Sequence, residues 1–449
     1  MKKTRILAIS IFAILMMQNF TACGQPDPGK SSVTQGSQTA SVASTGSDEN
    51  VESKTPTDPI RILLSEGGSA KALEAGIGHF TEDTGIKVEV LKYPYAEVRE
   101  KQMLDVTSKT GDIDVITVDG PIWLSEFSPF LDSIEPYIKK ENYDYSGIIP
   151  SMVDMFKKDG TLYGLPVRIG GWVLIYRKDL FDANNLTPPK TMNEFLSIAQ
   201  TLTTKDTYGF TGAFKQTNYL VAQWAPFLYS FGGNFLDPEM KKAAFNSPQG
   251  IASVQFLVDL YSKYKVINPS AIDYEQNNII TAMQQGVSAM AITYSPYYLE
   301  MDNAEKSKFT GKFAVAPMLP YAEGSGLSTG VTEISGWGIA INKFGKNKDA
   351  AWELMKYMSS DKAQLKMAVE SKNSPTSAAV YNSQNYLNIY KEAPAVLSAL
   401  QSAKTRPGSP VWTQIEDILA RELSAAISST KTVEQALADA ENEVNALLQ

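Results

Sequence analysis

Between Arg61 and Asp119 short apolar runs alternate with segments of helical spacing, and this rhythm limits the fold more than any other feature of the chain. Arg61-Ile62-Leu63-Leu64 reads as a buried strand. Ala70 to Asp83 has helical periodicity, closed by Gly85 as a C-terminal cap. Ile86 to Leu91 is a second strand and Tyr95 to Lys109 a second helix. Gly111 to Asp119 is a third strand, and it ends in a carboxylate. This β-α-β-α-β order predicts an α/β fold with a largely parallel sheet flanked by helices. Ligands of such sheets collect beyond the carboxyl ends of the strands. Glu66, just after the first strand, and Asp119 are both placed there. The alternation continues with strands at 173–176, 286–293 and 338–341. Helices follow the same pattern at 191–202, 248–264, 350–358, 361–369, 411–427 and 432–448, the last from a Thr432 cap.

Ahead of this body the sequence changes character. Lys2, Lys3 and Arg5 precede the apolar run Ile6 to Met17, and Phe20-Thr21-Ala22 leads into Cys23. That is the layout of a secretory signal peptide over 1–22. The run is shorter than the ~20 residues a membrane span needs. Cys23 is the only cysteine, and its place resembles the bacterial lipobox, in which the thiol is acylated. Phe20 stands where the usual motif has Leu. The competing reading is an ordinary export signal followed by a chance cysteine. Two acyl chains on Cys23 would anchor the protein stably, where one would not. Residues 24–58 are rich in Ser, Thr, Gly, Gln, Pro and Asp and hold no aromatic. They cannot bury enough apolar area to fold, so 23–58 reads as a lipidated residue and a tether reaching on the order of 30 Å. An exported chain with one cysteine has no internal disulfide. It must fold on its core alone, which 449 residues allow.

Several chemistries are excluded or weakened. A net charge of −8 argues against nucleic acid. His79 is the single histidine and falls inside the first helix, where a structural role is the simpler reading. With Cys23 lipidated, no Ser-His-Asp or Cys-His apparatus remains, and no metal site of the common zinc type. Ser359 and Lys362 have Ser-x-x-Lys spacing, but at a helix start that spacing arises readily by chance. Gly324-x-Gly326 lacks the rest of a dinucleotide fingerprint and no phosphate loop is present, so no cofactor is expected. Glu66, Asp119 and Glu333 could still supply the carboxylate pair of a glycosidase, whose separation decides the matter.

The aromatic content favours binding instead. Aromatics make up 10% of the chain, with 21 tyrosines. A sugar presents an apolar CH face and a rim of hydroxyls. Its site takes flat rings for the face and Asp, Glu, Arg or Asn for the rim. Trp123, Trp172, Trp224, Tyr297 and Trp337 all fall near strand ends or loops. Core packing is the rival explanation for each tryptophan, and it is strongest for Trp352, on a helical face with Leu354, Met355 and Met358.

Several ordered segments resemble the extracellular solute-binding proteins, family 1, of sugar ABC importers. They are "DIDVITVDGPIWLSEFSPFLDSIEP" up to Pro136, "DGTLYGLPVRIGGWVLIYRKDLFDANNLTPPKTMNEFLSIAQTL" from Asp159, Leu228 to Gly233, Gly286 to Ile292, "ISGWGIAINKFGKNKDAAWELMKY" from Ile334, and Arg406-Pro407 with the final two helices. The resemblance implies a two-lobed, type II periplasmic-binding-protein-like α/β fold. Each lobe is a mostly parallel sheet flanked by helices, and a hinge closes the lobes on the ligand. It places the crossings near Pro166, Pro317 and Pro375. Lobe 1 is then 59–166 plus 318–375, and lobe 2 is 167–317 plus 376–449.

Position by position, the resemblance implies ligand contacts at Glu66, Asp119, Arg168, Trp224, Tyr297, Glu333, Gly336, Trp337 and Arg406. Gly170 and Gly171 occupy a place where many members carry a cleft acid. The implied protein is a monomeric lipoprotein at the extracytoplasmic face of the membrane. It captures a carbohydrate, of di- or oligosaccharide size, for an ABC permease, and it is not an enzyme. The alternatives are a binder of a polyol phosphate, polyamine or peptide, and a surface glycosidase.

Overall fold

The computed structural model describes residues 58–66 and 68–449; the leader, Cys23 and nearly all of the expected tether lie outside the described residues. The strands are β1 (Ile60–Ser65), β2 (Val88–Tyr93), β3 (Val115–Gly120), β4 (Lys157–Lys158), β5 (Thr161–Leu162), β6 (Gly164–Arg177), β7 (Tyr208–Thr211), β8 (Ser288–Tyr294), β9 (Phe313–Val315), β10 (Glu333–Ile341) and β11 (Lys404–Thr405). β1 runs parallel to β2, with Ile60 opposite Val88, and parallel to β3, with Ile62 opposite Val115. Ile62, Leu63 and Leu64 are all buried. A parallel strand is covered on both faces and so reads as an unbroken apolar run.

The full order is β2-β1-β3-β10-β6-β8-β7. The parallel arrangement expected for both lobes holds at β2-β1-β3 and again at β7-β8. Between them the pairing is antiparallel, because β10 inserts between β3 and β6 and runs against both. β6 is the joint of the molecule. Its first part, Gly164 to Gly171, pairs with β10, and its second part, from Trp172 on, pairs with β8 and β9. A strand of 14 residues is about 45 Å long, enough to serve two sheets in turn. The result is a two-lobed type II fold. One lobe is built on β2-β1-β3-β10-β6 and the other on β6-β8-β7.

Local signals set the helix ends. The helix Gly68–Thr84 stops at Gly85, whose N–H bonds to the Thr81 carbonyl. Thr191 caps Met192–Leu202 by accepting from the Glu194 N–H. Thr432 and Gln435 form a reciprocal capping box for Val433–Leu447. The helix expected over 248–264 is α-helical to Val258 and continues as one wider turn to Lys263. Asn218–Ser230 is a helix without a visible sequence period, because every residue from Leu220 onward is buried and no polar face marks it. Among the described residues no helix is long and apolar enough to cross a membrane.

Candidate functional site

Three neighbouring strands of the first sheet hold one row of unlike side chains. Trp337 on β10 is the register partner of Asp119 on β3 and of Arg168 on β6. Residues directly opposite on adjacent strands project from the same face. Carboxylate, indole and guanidinium therefore stand side by side, the outer two separated by two strand spacings, about 10 Å at the backbone. Asp119 is there because β3 ends there, at the carboxyl edge where a parallel sheet opens.

Tyr95 closes the acid end of the row. It opens the helix Tyr95–Ser108, and its hydroxyl donates to Asp119 Oδ2 at 2.8 Å. Its ring lies 4.8 Å from Trp123 and edge-on to Trp337 at 5.8 Å, while Trp123 meets Trp337 edge-on at 5.2 Å. Trp337 is only 9% exposed and Trp123 is buried, so Tyr95, at 43%, is the ring of the trio that solvent reaches. At the other end Arg168 Nε donates to Asn373 Oδ1 at 2.7 Å.

The second lobe brings tyrosines to the same place. Tyr294 ends β8, with its ring 5.0 Å from Trp172 and 6.4 Å from Tyr297. Tyr297 opens the helix Tyr297–Met301, and Tyr219 lies in the first turn of Asn218–Ser230, 36% exposed. The Arg168 guanidinium feels Tyr297, Tyr294, Asp119 and Tyr219, though burial is what chiefly lowers its pKa. Burial raises Asp119 against the pull of Arg406, the Tyr95 hydroxyl and Arg168. Burial also pushes Tyr297 up to about 12. The environment is thus aromatic and poorly hydrated, with a few fixed polar groups.

A second charged cluster lies deeper. Arg406 Nε donates to Glu333 Oε1 at 2.9 Å, and its Nη1 donates to Glu416 Oε1. Glu333 is fully buried, and its Oε2 has no partner among the described residues. Burial lifts Glu333 to about 7 despite Arg406, and lifts Glu416 as well. Burial works against the Arg406 charge, but Glu416 and Glu333 outweigh it and raise its pKa. A cavity of about 590 Å³ borders this cluster, lined by Leu124, Lys158, Tyr229, Phe235 and Arg406. It does not take in Asp119, Arg168 or Trp337.

The expected site residues therefore divide. Asp119, Arg168, Tyr297 and Trp337 are brought together. Glu66 is exposed in the turn after β1, its backbone N–H bonded to the Tyr93 carbonyl. Gly336 is a backbone device, since a β-carbon there would come 2.5 Å from the Arg168 carbonyl oxygen. Glu333 pairs with Arg406, and Arg406 pairs also with Glu416. Trp224 is a correction: it is fully buried, donates Nε1–H to Ser253 Oγ at 2.8 Å and packs edge-on to Phe235. Trp172, Trp352 and Trp412 are core residues too. The same cluster also gathers Tyr95, Tyr219, Tyr294 and Asn373, which the sequence did not single out. A signal existed for two of them: Tyr95 and Tyr219 each stand in the first turn of a helix, directly after a strand or loop.

Among known proteins, the family described as bacterial extracellular solute-binding protein matches residues 65–365. A "Probable amino-acid ABC transporter periplasmic-binding protein" of Sinorhizobium fredii is 23% identical over 403 residues, spanning 87% of this chain and 89% of that one. The galactooligosaccharide-binding protein of Bacillus subtilis is 22% identical over 424 residues, spanning 90% and 94%. The solved structure of maltose-bound T. maritima MalE3 shares the fold at a TM-score of 0.76, with 26% identity over 87% of this chain and 99% of that one. With the family's pattern running from the end of β1 into the helix Asp361–Ser371, and the fold shared over both lobes, the chain belongs to the bacterial extracellular solute-binding protein family.

Proposed function

We propose that the protein captures a carbohydrate between its two lobes and delivers it to an ABC permease. The observation that carries this reading is the row Asp119–Trp337–Arg168, walled by Tyr95 on one lobe and faced by Tyr219, Tyr294 and Tyr297 from the other. Flat rings suit the CH face of a sugar, and a carboxylate with a guanidinium suits its hydroxyls. The relatives that bind galactooligosaccharide and maltose support the same solute class. Glu66 stands at the rim, while Glu333 and Arg406 support the site from beneath.

The action is capture without chemistry. Glu333, one carboxylate a glycosidase would draw on, is sealed against Arg406. Closure turns on the crossings near Pro166, Pro317 and Pro375, with lobes of 59–166 plus 318–375 and 167–317 plus 376–449; the first crossing lies on β6, the strand that changes partners further along, at Gly171 and Trp172. A monomer tethered through lipidated Cys23 on the extracytoplasmic face would reach its permease by the length of the tether.

Calorimetric titration of the purified protein with mono-, di- and oligosaccharides tests the reading. Micromolar or tighter binding of one of them is the expected result. No heat with any sugar from a folded protein, together with binding of an amino acid, would replace the carbohydrate by the solute class of the Sinorhizobium relative.

A further inference from the structure

Arg168 differs from every other described arginine. Arg61, Arg99, Arg177, Arg406 and Arg421 each pair with a carboxylate. Among the described residues no carboxylate is bonded to Arg168; its bond is to the neutral amide oxygen of Asn373. That bond uses Nε and leaves the terminal fork to the site. Its electrostatic neighbours are the phenols of Tyr297, Tyr294 and Tyr219 and the carboxyl of Asp119. A guanidinium largely withdrawn from water with no carboxylate bonded to it is costly. A ligand that brings the counter-charge removes that cost.

The row also has a direction. Its Asp119 end accepts hydrogen bonds and already takes one from Tyr95. Its Arg168 end only donates. The rings of Trp337 and Tyr95 lie between or beside them. Two strand spacings, about 10 Å at the backbone, leave room for one pyranose once both side chains reach inward. A ring with hydroxyls at one edge and an anion at the other matches that polarity. The planar fork of arginine fits a carboxylate through two parallel bonds. A phosphate dianion would call for more than one cation, where a carboxylate calls for one.

We infer that the solute is an acidic sugar, a uronic acid residue free or within an oligosaccharide, held with its carboxylate on Arg168 and its hydroxyls on Asp119. This rests on the carbohydrate reading and sharpens it. In ligand-free protein the neutral partner Asn373 holds the fork in place without neutralising it.

Matched pairs decide the point: glucuronate with glucose, galacturonate with galactose, digalacturonate with galactobiose, each titrated calorimetrically into the whole protein. In the pair that binds, the acid is expected to be at least about tenfold tighter, with an advantage that shrinks as salt is added. Arg168→Gln is expected to weaken both members of the pair but the acid at least about tenfold more, so that the advantage is lost, and Arg168→Lys to restore part of it. Equal or tighter binding of the neutral member overturns the acidic-sugar inference and leaves the carbohydrate reading standing. Tighter binding of glucose 6-phosphate than of glucuronate also overturns it. No binding by either member of any pair removes both readings together. The wild-type comparison decides even where a variant fails to fold.

Discussion

The ring of Tyr294 lies on the backbone of Gly170, so close that a β-carbon there would come 2.6 Å from Cδ1. Tyr294 ends β8, and Gly170 is in the part of β6 that pairs with β10. The Tyr294 hydroxyl continues to Ser335 Oγ on β10 at 2.5 Å. The space beside the Gly170 backbone is therefore filled by the Tyr294 phenol. Gly170 is the residue that makes room for it.

Gly170→Ala is expected to lower stability by about 1–3 kcal/mol, the usual cost of forcing a carbon into a filled space. Urea unfolding measures this. Adding Tyr294→Ala should return part of the loss, because the two changes share one contact. A single variant as stable as the parent would show that the ring moves aside freely.

Tyr95 and Trp337 should separate binding from folding. Tyr95 is exposed, so Tyr95→Ala is expected to weaken solute binding about tenfold, or ~1.4 kcal/mol, with little change in melting temperature. Trp337 is nearly enclosed by Tyr95 and Trp123. Trp337→Ala is expected to cost roughly 3–5 kcal/mol of stability as well as affinity. Calorimetry beside thermal melts reads both. A Trp337→Ala variant that melts like the parent would return that ring to a purely ligand-facing role.

Arg406→Leu leaves Glu333 and Glu416 facing each other without compensation. Stripping one partner from a buried ion cluster costs about 3–5 kcal/mol. The variant should melt far below the parent or fail to accumulate. Unchanged melting with lost solute binding would instead place the guanidinium in the ligand site.

Stability should fall as pH rises from about 4.5 to about 7, the interval across which Glu333 is protonated in the folded chain and ionised in the unfolded one. A carboxyl raised on folding binds the proton more tightly in the native state. Its contribution is complete below the unfolded value and is lost as pH passes the folded one. Glu416 and Asp119 are raised too and act in the same sense. Glu333→Gln keeps an acceptor for Arg406 and removes the proton, so melting temperature should vary less across this interval. An unaltered pH slope would mean that Glu333 does not hold the proton.

Cys23→Ala should shift the protein from the membrane fraction to the medium. Fractionation and immunoblotting follow it, and continued membrane association would end the lipid-anchor proposal.

What the sequence alone determined is local. The β-α-β-α-β start, the stop at Gly85 and the cap at Thr432 depend on neighbours a few residues away, and each was legible. Asp119 was legible for the same reason, because the end of β3 is written in its own apolar run. Burial over a distance was not. Trp224 and Tyr219 share one helix, yet the tryptophan is sealed by Phe235 and Ser253 while the tyrosine stays exposed. Arg406 looked like a ligand group until Glu416, ten residues on, took its Nη1. The row itself joins residues 119, 168 and 337, which meet because β10 returns antiparallel between β3 and β6. Register between strands so far apart in the chain is set by long-range pairing within the sheet. A single residue of slip would turn Trp337 to the other face, so only the tertiary structure could decide which rings and charges share the site.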